Sequence, residues 1–315
     1  MKGDAPWALG VMWTLTFITL VFVILRVYTR VVIVKTSGVD DFVYNFAFIL
    51  LLLYTVFIHL SANYGFGQNM FEIEDVEDAV RAVLLEVIGQ TFAIIGMAVA
   101  KCSLGLFLLR LVSVNMIWHR MAIWATMAGL MLTSISVVFV YWLQCTPPAY
   151  LWDHRIRGGF CHINSVPAAF TLSIFCIIVD FFFAIFPWVL LWNLNMNKRE
   201  KVIIAGSMSL GVFAGACGIK RTMELPNLTE QNYLKDTVRA IVWSAAEIVV
   251  TMLGFTGPPT KAWQYTGPTG DNSNDEIRGA EFSHSQAPPD IRTSSYTAGQ
   301  PVGVRIEMRQ GSRGE

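Results

Sequence analysis

The sequence predicts an all-α membrane protein, a bundle of seven transmembrane helices followed by a disordered C-terminal tail. Two observations predict it. Apolar runs long enough to cross a bilayer recur along residues 7–257, where a hydrocarbon core about 30 Å thick needs roughly 20 residues of helix. Charged residues make up only 15% of the 315 residues and mean hydropathy is +0.50, whereas soluble domains carry about 25% charge. Lipid must therefore cover much of the surface. Inside a bilayer every backbone polar group has to be satisfied within the chain, so the runs read as helices.

Residues 1–6 form a short extracellular N-terminus before the first run, Trp7–Leu25. No A-x-A cleavage site follows that run; Arg26 and Arg30 do, which marks an anchor rather than a removed signal peptide. Asp40-Asp41 launches the second run, Phe42–Leu60. The third, Ala82–Leu111, is long enough to tilt or to project from the membrane. The fourth is Met121–Leu143 and the fifth Ala168–Trp192. The sixth, Val202–Ile219, is short and rich in glycine, and the seventh is Thr237–Gly257. Pro258–Glu315 turns to Gly, Ser, Pro, Thr and charge, too poor in apolar residues to fold, and reads as a disordered cytoplasmic tail.

Short-loop Lys and Arg set orientation. Arg26, Arg30, Lys35, Arg110, Arg120, Lys198, Arg199 and Lys201 fall on one face, and the acidic stretch Glu72–Asp78 falls on the other. The basic face is the cytoplasmic one, although Arg155, Arg157, Lys220, Arg221 and Lys235 fall outside. Asn227-Leu228-Thr229 is an N-glycosylation sequon, and it lies in a loop assigned outside. So do Cys145 and Cys161, where oxidation is permitted. A disulfide between them is the expectation and two free thiols the alternative; the bridge would close a loop of about 17 residues and contribute about 3 kcal/mol in the chain-entropy account. Cys102, Cys176 and Cys217 fall within helices as small packing residues.

Ionisable residues inside apolar runs are the sharpest signal, because a charge at mid-bilayer costs several kcal/mol and normally faces a partner in the bundle interior. Asp180 lies near the middle of the fifth helix, Glu247 near the middle of the seventh, and Lys101 in the inner half of the third. Opposite charges at similar depth predict one polar cluster, either a ligand or switch centre or a structural ion pair. Glu86 and His59 lie nearer the outer ends, where solvated side chains are expected. Lys220 and Arg221 at the outer end of the sixth helix can snorkel to the interface. Gly211-x-x-x-Gly215, with Ala214 and Gly218 beside it, permits close helix approach, within the bundle or between copies.

Net charge is zero with no basic block, which argues against nucleic acid. The five histidines show no metal-ligand spacing, and no catalytic constellation or metal site is expected. A retinal pigment needs a Schiff-base lysine in its last helix; Thr237–Gly257 has none, so no cofactor is expected. Neither D-R-Y after the third helix nor N-P-x-x-Y in the seventh is present, which separates the chain from typical animal-type receptors.

A family resemblance runs through a set of motifs in order. They are Asp40-Asp41, Tyr64-Gly65-Phe66-Gly67, Lys101-Cys102-Ser103-Leu104 and Leu108-Leu109-Arg110-Leu111. Gln144-Cys145-Thr146-Pro147, Trp152 and Gly158-Gly159-Phe160-Cys161 follow in the outer loop. Asp180, Pro187, Leu191-Trp192-Asn193-Leu194, Arg199-Glu200-Lys201, Gly211, Arg221, Trp243 and Glu247 complete it. The chain thereby resembles the fungal rhodopsin-domain membrane proteins, which include satratoxin-cluster membrane proteins and pathogenicity-related receptor-like proteins. The resemblance implies a seven-helix bundle with receptor-like relatives; together with the disulfide-pinned outer loop, the polar centre and the missing lysine it gives the expectation of a receptor-like protein that senses a small molecule without retinal. Its partners would be the lipid bilayer, a small-molecule ligand and a cytoplasmic signalling protein reading Arg110, Arg120, Lys198, Arg199 and Lys201. The plasma membrane is the expected location and an endomembrane the alternative. The rival function is a membrane component of a secondary-metabolite gene cluster: an accessory protein, a transporter, or a proton-initiated cyclase using Asp180 and Glu247 as general acids.

Overall fold

The structure, a computed structural model, describes residues 3–35, 38–69, 73, 75–112, 116–191, 198–227 and 233–254. The predicted tail, Trp192, Glu72, Glu74 and the last residues of the predicted seventh run lie outside the described residues.

Seven long α-helices account for almost all of the described chain. α1 spans Ala5–Tyr28, opens with Pro6 in its first turn and continues into a π-helical turn, Thr29–Val34. α2 spans Val39–Asn63, with Asp40 and Asp41 in its first turn, where a helix dipole favours negative charge. α3 spans Val76–Leu111 and its 36 residues would extend about 54 Å at 1.5 Å per residue, well beyond a hydrocarbon core. It starts before its apolar run because the Asp75 carboxylate accepts the Glu77 N–H at 3.1 Å and caps the end. α4 is Ile117–Leu143 and α5 is Val166–Leu191, which runs through Pro187. Between them a two-residue antiparallel pair, β1 (Cys145–Thr146) with β2 (Phe160–Cys161), sets Cys145 opposite Cys161, and the two are disulfide-bonded. α6 is Lys198–Glu224 and α7 is Tyr233–Leu253.

Five of these helices, α1 to α5, are long and apolar enough to cross a membrane. α6 and α7 are long but carry charge at their ends: Lys198 to Lys201 and Lys220, Arg221 and Glu224 on α6, and Lys235, Asp236 and Arg239 on α7. The reading of seven uniform spans narrows accordingly to seven long helices, five of them strongly apolar. Phe17, Leu132, Phe139, Ile185 and Phe213 each leave more than half of their surface exposed. Apolar side chains facing outward on α1, α4, α5 and α6 suit lipid as solvent.

Small residues and local turns position the interior. Gly89 and Gly96 on α3 face Ile58 and Leu50 of α2. On α6, Gly211, Gly215 and Gly218 lie against Ala184, Phe181 and Ile177 of α5. The small-residue stripe therefore serves packing within the bundle. After α2, Gly67 adopts φ +86, donates its N–H to the Leu234 carbonyl at 3.2 Å and accepts from Asp4 N–H at 3.1 Å. That turn ties the starts of α1 and α7 together, and a Cβ at Gly67 would come within 2.7 Å of the Ala5 nitrogen.

Candidate functional site

α3 and α7 sit at the centre of the bundle: α3 touches α2, α4, α5 and α7, and α7 touches α1, α2, α3 and α6. Charged groups from four helices meet there. Lys101 on α3 is wholly buried, with Nζ 2.5 Å from Oδ1 of Asp180 on α5 and 2.9 Å from Oε1 of Glu247 on α7. Arg221 on α6 brings Nε to 3.4 Å from Oε2 of Glu247. Lys101 also donates to the Cys176 carbonyl at 3.4 Å, and Arg221 Nη1 donates to Met97 Sδ at 3.0 Å. Two cations thus stand against two carboxylates in one neutral, buried cluster. Among the described residues, Asp180 Oδ2 accepts no hydrogen bond. Gly218 makes the approach of α6 possible, since a Cβ there would lie 3.4 Å from Glu247 Oε2 and 3.0 Å from Ile177.

The structure brings Lys101, Asp180 and Glu247 together and adds Arg221, which the sequence placed in the interface. Arg221 is only 8% exposed. Ala214, Gly218 and Arg221 follow one another at helical spacing and all are buried, a periodic signal that hydropathy alone obscured. Lys220, next to it, is exposed, as snorkelling requires.

A second polar layer lies nearer the other end of α3. Glu86 is fully buried, not solvated as its position near the helix end suggested. Its Oε1 accepts from Gln90 at 3.3 Å and from Tyr233 at 3.5 Å, Tyr233 and Tyr141 share a hydroxyl contact of 3.0 Å, and Oε2 accepts nothing among the described residues. Fifteen residues along α3 separate Glu86 from Lys101, about 22 Å of rise. His59 accepts from Trp13 Nε1 at 3.3 Å across the α1–α2 contact.

The loop between α4 and α5 packs against the start of α3. Arg155 holds Asp153 at 2.8 Å and Glu77 at 2.9 Å. Hydrogen bonds from Arg155 set the Asp153 carboxyl below its ordinary range, and the same partners raise Arg155. Asn227 closes the short 3-10 turn Leu225–Asn227; Leu228 and Thr229 of its sequon lie outside the described residues.

At the opposite end, Arg26 binds Asp41 at 2.8 Å and Asp40 at 3.3 Å, and Arg110 from the last turn of α3 pairs with Asp40. Arg110 is thus both a tie to α2 and a 45% exposed surface group. Arg120, in the first turn of α4, makes no ion pair among the described residues. Lys198, Arg199 and Lys201 lie in the first turn of α6, and their side chains fall outside the described residues.

The family described as Fungal rhodopsin domain matches residues 25–262. Among curated proteins, Receptor GIN3 of Arthrobotrys oligospora is 25% identical over 169 residues, 53% of this chain and 40% of that protein. Satratoxin biosynthesis SC1 cluster protein 4 of Stachybotrys chartarum is 24% identical over 40% of this chain and 44% of its own length. A SAT4 family membrane protein of Emericella nidulans is 28% identical over 32% of this chain and 25% of its own. The chain spans less than half the length of these relatives. No solved structure matches it.

Proposed function

The chain belongs to the fungal rhodopsin domain family, and we propose that within it this protein is a receptor-like membrane protein whose seven helices all span the bilayer and whose buried charge cluster responds to a small molecule. The observation that carries this reading is the cluster Lys101–Asp180–Glu247–Arg221, to which α3, α5, α6 and α7 each contribute one charge. In this reading the ion cluster joining four helices is the two-state element. Moving any one helix trades one ion pair for another, and a ligand with different affinity for the two arrangements shifts their populations. Asp180 Oδ2, buried and without a donor among the described residues, is the acceptor such a ligand or rearrangement would engage. The similarity to a protein named as a receptor supports the same reading.

In this proposal the N-terminus and the disulfide-bonded loop face outside, the tail faces the cytoplasm, and the membrane is the plasma membrane. The Lys and Arg bias, the Asn227 sequon and the bonded cysteines support that sense. Arg110, Arg120, Lys198, Arg199 and Lys201 would then meet a cytoplasmic signalling partner. We read the protein as free of retinal. Lys235 falls in the first turn of α7 but is exposed, and the buried Lys101 lies on α3 rather than on the last helix, so neither residue offers a Schiff base in the interior of α7.

The second reading, a membrane component of a biosynthetic cluster, rests on the similarity to the satratoxin cluster protein. Its cyclase form is the less favoured: a general acid must hold a transferable proton, whereas Asp180 and Glu247 each face a cation.

Ligand-dependent thermal stability of the purified full chain against extracts of its own cells and medium tests the receptor reading. A ligand of the folded state raises the melting temperature by mass action. A stabilising fraction whose effect is lost in Asp180→Asn supports the cluster as the responsive centre. Stabilisation that is undiminished in Lys101→Ala, Asp180→Asn and Glu247→Gln removes it.

A further inference from the structure

Where α1 passes into its π-helical turn, the first turns of α2 close a small cavity of about 60 Å³. Arg26, Val27, Arg30, Val31, Asp41 and Asn45 line it. The charges around it do not cancel. Arg26, Arg30 and Arg110 set three guanidinium groups against the carboxylates of Asp40 and Asp41, which leaves one positive charge.

That excess falls on Arg30. Arg26 already donates to Asp41 at 2.8 Å, and Arg110 is spent on Asp40. Arg30 stands 3.5 Å from Asp41 and 3.7 Å from Asp40, both beyond hydrogen-bond geometry, and donates no hydrogen bond among the described residues. Its side chain is only 15% exposed. Arg30 therefore faces the two carboxylates as ion pairs only, and its planar fork, largely withdrawn from solvent, keeps donors available for a further anionic oxygen. Asn45 adds an amide on the same wall. Beside the polar wall, Val27 of α1, Val31 of the π-helical turn, and Phe42 and Phe46 of α2 are 40%, 57%, 74% and 43% exposed. A ligand here meets cations at one end and apolar side chains at the other.

We propose that this cavity binds the phosphate of an anionic phospholipid headgroup, with Arg30 as its fork and Asn45 as a second donor, while the lipid tails lie over the exposed valines and phenylalanines. A basic pocket between helices at the membrane interface is suited to such a headgroup. Bound there, the lipid would neutralise the surplus charge and fasten the exit of α1 to the start of α2, and through Asp40 to the end of α3.

The test uses the full chain purified in neutral detergent. Phosphatidylserine and phosphatidylcholine are titrated separately, with melting temperature and native mass spectrometry as readouts. Phosphatidylserine is expected to raise the melting temperature and to be retained in a one-to-one complex, and phosphatidylcholine is not. Arg30→Gln is expected to weaken the phosphatidylserine effect by about tenfold or more, the size of a lost charge-assisted hydrogen bond. Val31→Trp fills the cavity without removing a charge, and is expected to abolish the preference even if Arg30→Gln fails to fold. Equal stabilisation by both lipids overturns the proposal, as does a Val31→Trp protein that keeps the anionic preference. Stabilisation by inorganic phosphate alone, matching that of the lipid, overturns the lipid as the source of the phosphate.

Discussion

Arg221 reaches Glu247 across the α6–α7 contact, Nε to Oε2 at 3.4 Å, from a position three residues short of the end of α6. That contact divides the buried cluster into two neutral pairs, Lys101 with Asp180 and Arg221 with Glu247, bridged by the 2.9 Å bond from Lys101 to Glu247.

The division predicts strong non-additivity. Lys101→Met or Asp180→Leu alone strands a buried charge and is expected to cost about 3–5 kcal/mol. The double variant removes one pair whole and leaves Arg221 with Glu247, so it is expected to be more stable than either single variant. Thermal unfolding of the three proteins in one detergent checks this. A double variant that loses the sum of the two single losses would show that the charges act independently.

Glu247→Gln has a different consequence, because Glu247 serves both cations. Lys101 and Arg221 would then share Asp180, and the loss is expected to exceed that of Asp180→Asn, which leaves Glu247 between them. The ranking of the two melting temperatures decides it; a reversed order would place Asp180 as the central carboxylate.

The membrane character of the fold was legible in the sequence because a bilayer forces long apolar runs, and so were the two carboxylates and the lysine, because charge within such a run is rare and needs a partner. The helix ends were less legible. Hydropathy marks where lipid contact stops, not where helical hydrogen bonding stops. α3 therefore begins at Val76 on the Asp75 cap, and α7 begins at Tyr233 in spite of Lys235, Asp236 and Arg239. Arg221 was missed for the same reason: distance along the helix suggested the interface, whereas rotation about the axis turns it inward beside Gly218. Glu86 hides behind Gln90, Tyr141 and Tyr233, a closure made by three helices that no local pattern records.

Close packing of α6 on α5 predicts graded effects along the glycine stripe. Gly211 faces Ala184, whose Cβ would be 2.8 Å from an added methyl and whose Cα would be 3.3 Å away, so a larger residue must move the helix. Gly211→Leu is expected to destabilise by about 1–3 kcal/mol, as overpacking does. Unchanged thermal stability together with loss of an oligomer on size-exclusion chromatography would assign the stripe to self-association instead.

The α4–α5 loop is expected to respond to acid in a defined window. Hydrogen bonds from Arg155 depress the Asp153 carboxyl, so the native loop binds its proton more weakly than the unfolded chain does. The resulting contribution is present above the ordinary aspartate value and is lost as pH falls through the depressed one. The protection factors of the amides over residues 144–165, which divide out the intrinsic pH dependence of exchange, are therefore expected to be flat from about pH 7 to pH 5 and to fall only below about pH 4. High salt should loosen the exposed Arg155–Glu77 pair as well. Loss of protection already between about pH 7 and pH 5 would show that Asp153 does not hold the loop.

Topology makes the last prediction, and it joins three independent parts of the chain. If the α4–α5 loop and the α6–α7 connection both face outside, then the Cys145–Cys161 bond forms in an oxidising space and Asn227 is open to glycosylation. Asn227→Gln is expected to remove a glycan seen as a mobility shift, and Cys145→Ser with Cys161→Ser to lower thermal stability by about 3 kcal/mol. A tag after Glu315 should stay closed to protease in intact cells, and a tag before Met1 should be open. An odd number of crossings separates the two termini, which the five strongly apolar helices satisfy as well as seven would. The discriminating site is Asn227, which lies beyond α6. If only α1 to α5 cross, with the N-terminus outside, everything after α5 stays in the cytoplasm and Asn227 is never glycosylated. A glycan at Asn227 together with a protected C-terminal tag therefore requires both α6 and α7 to cross the membrane, charges included. The partners buried around Arg221 and Glu247 are what make such a crossing affordable in energy.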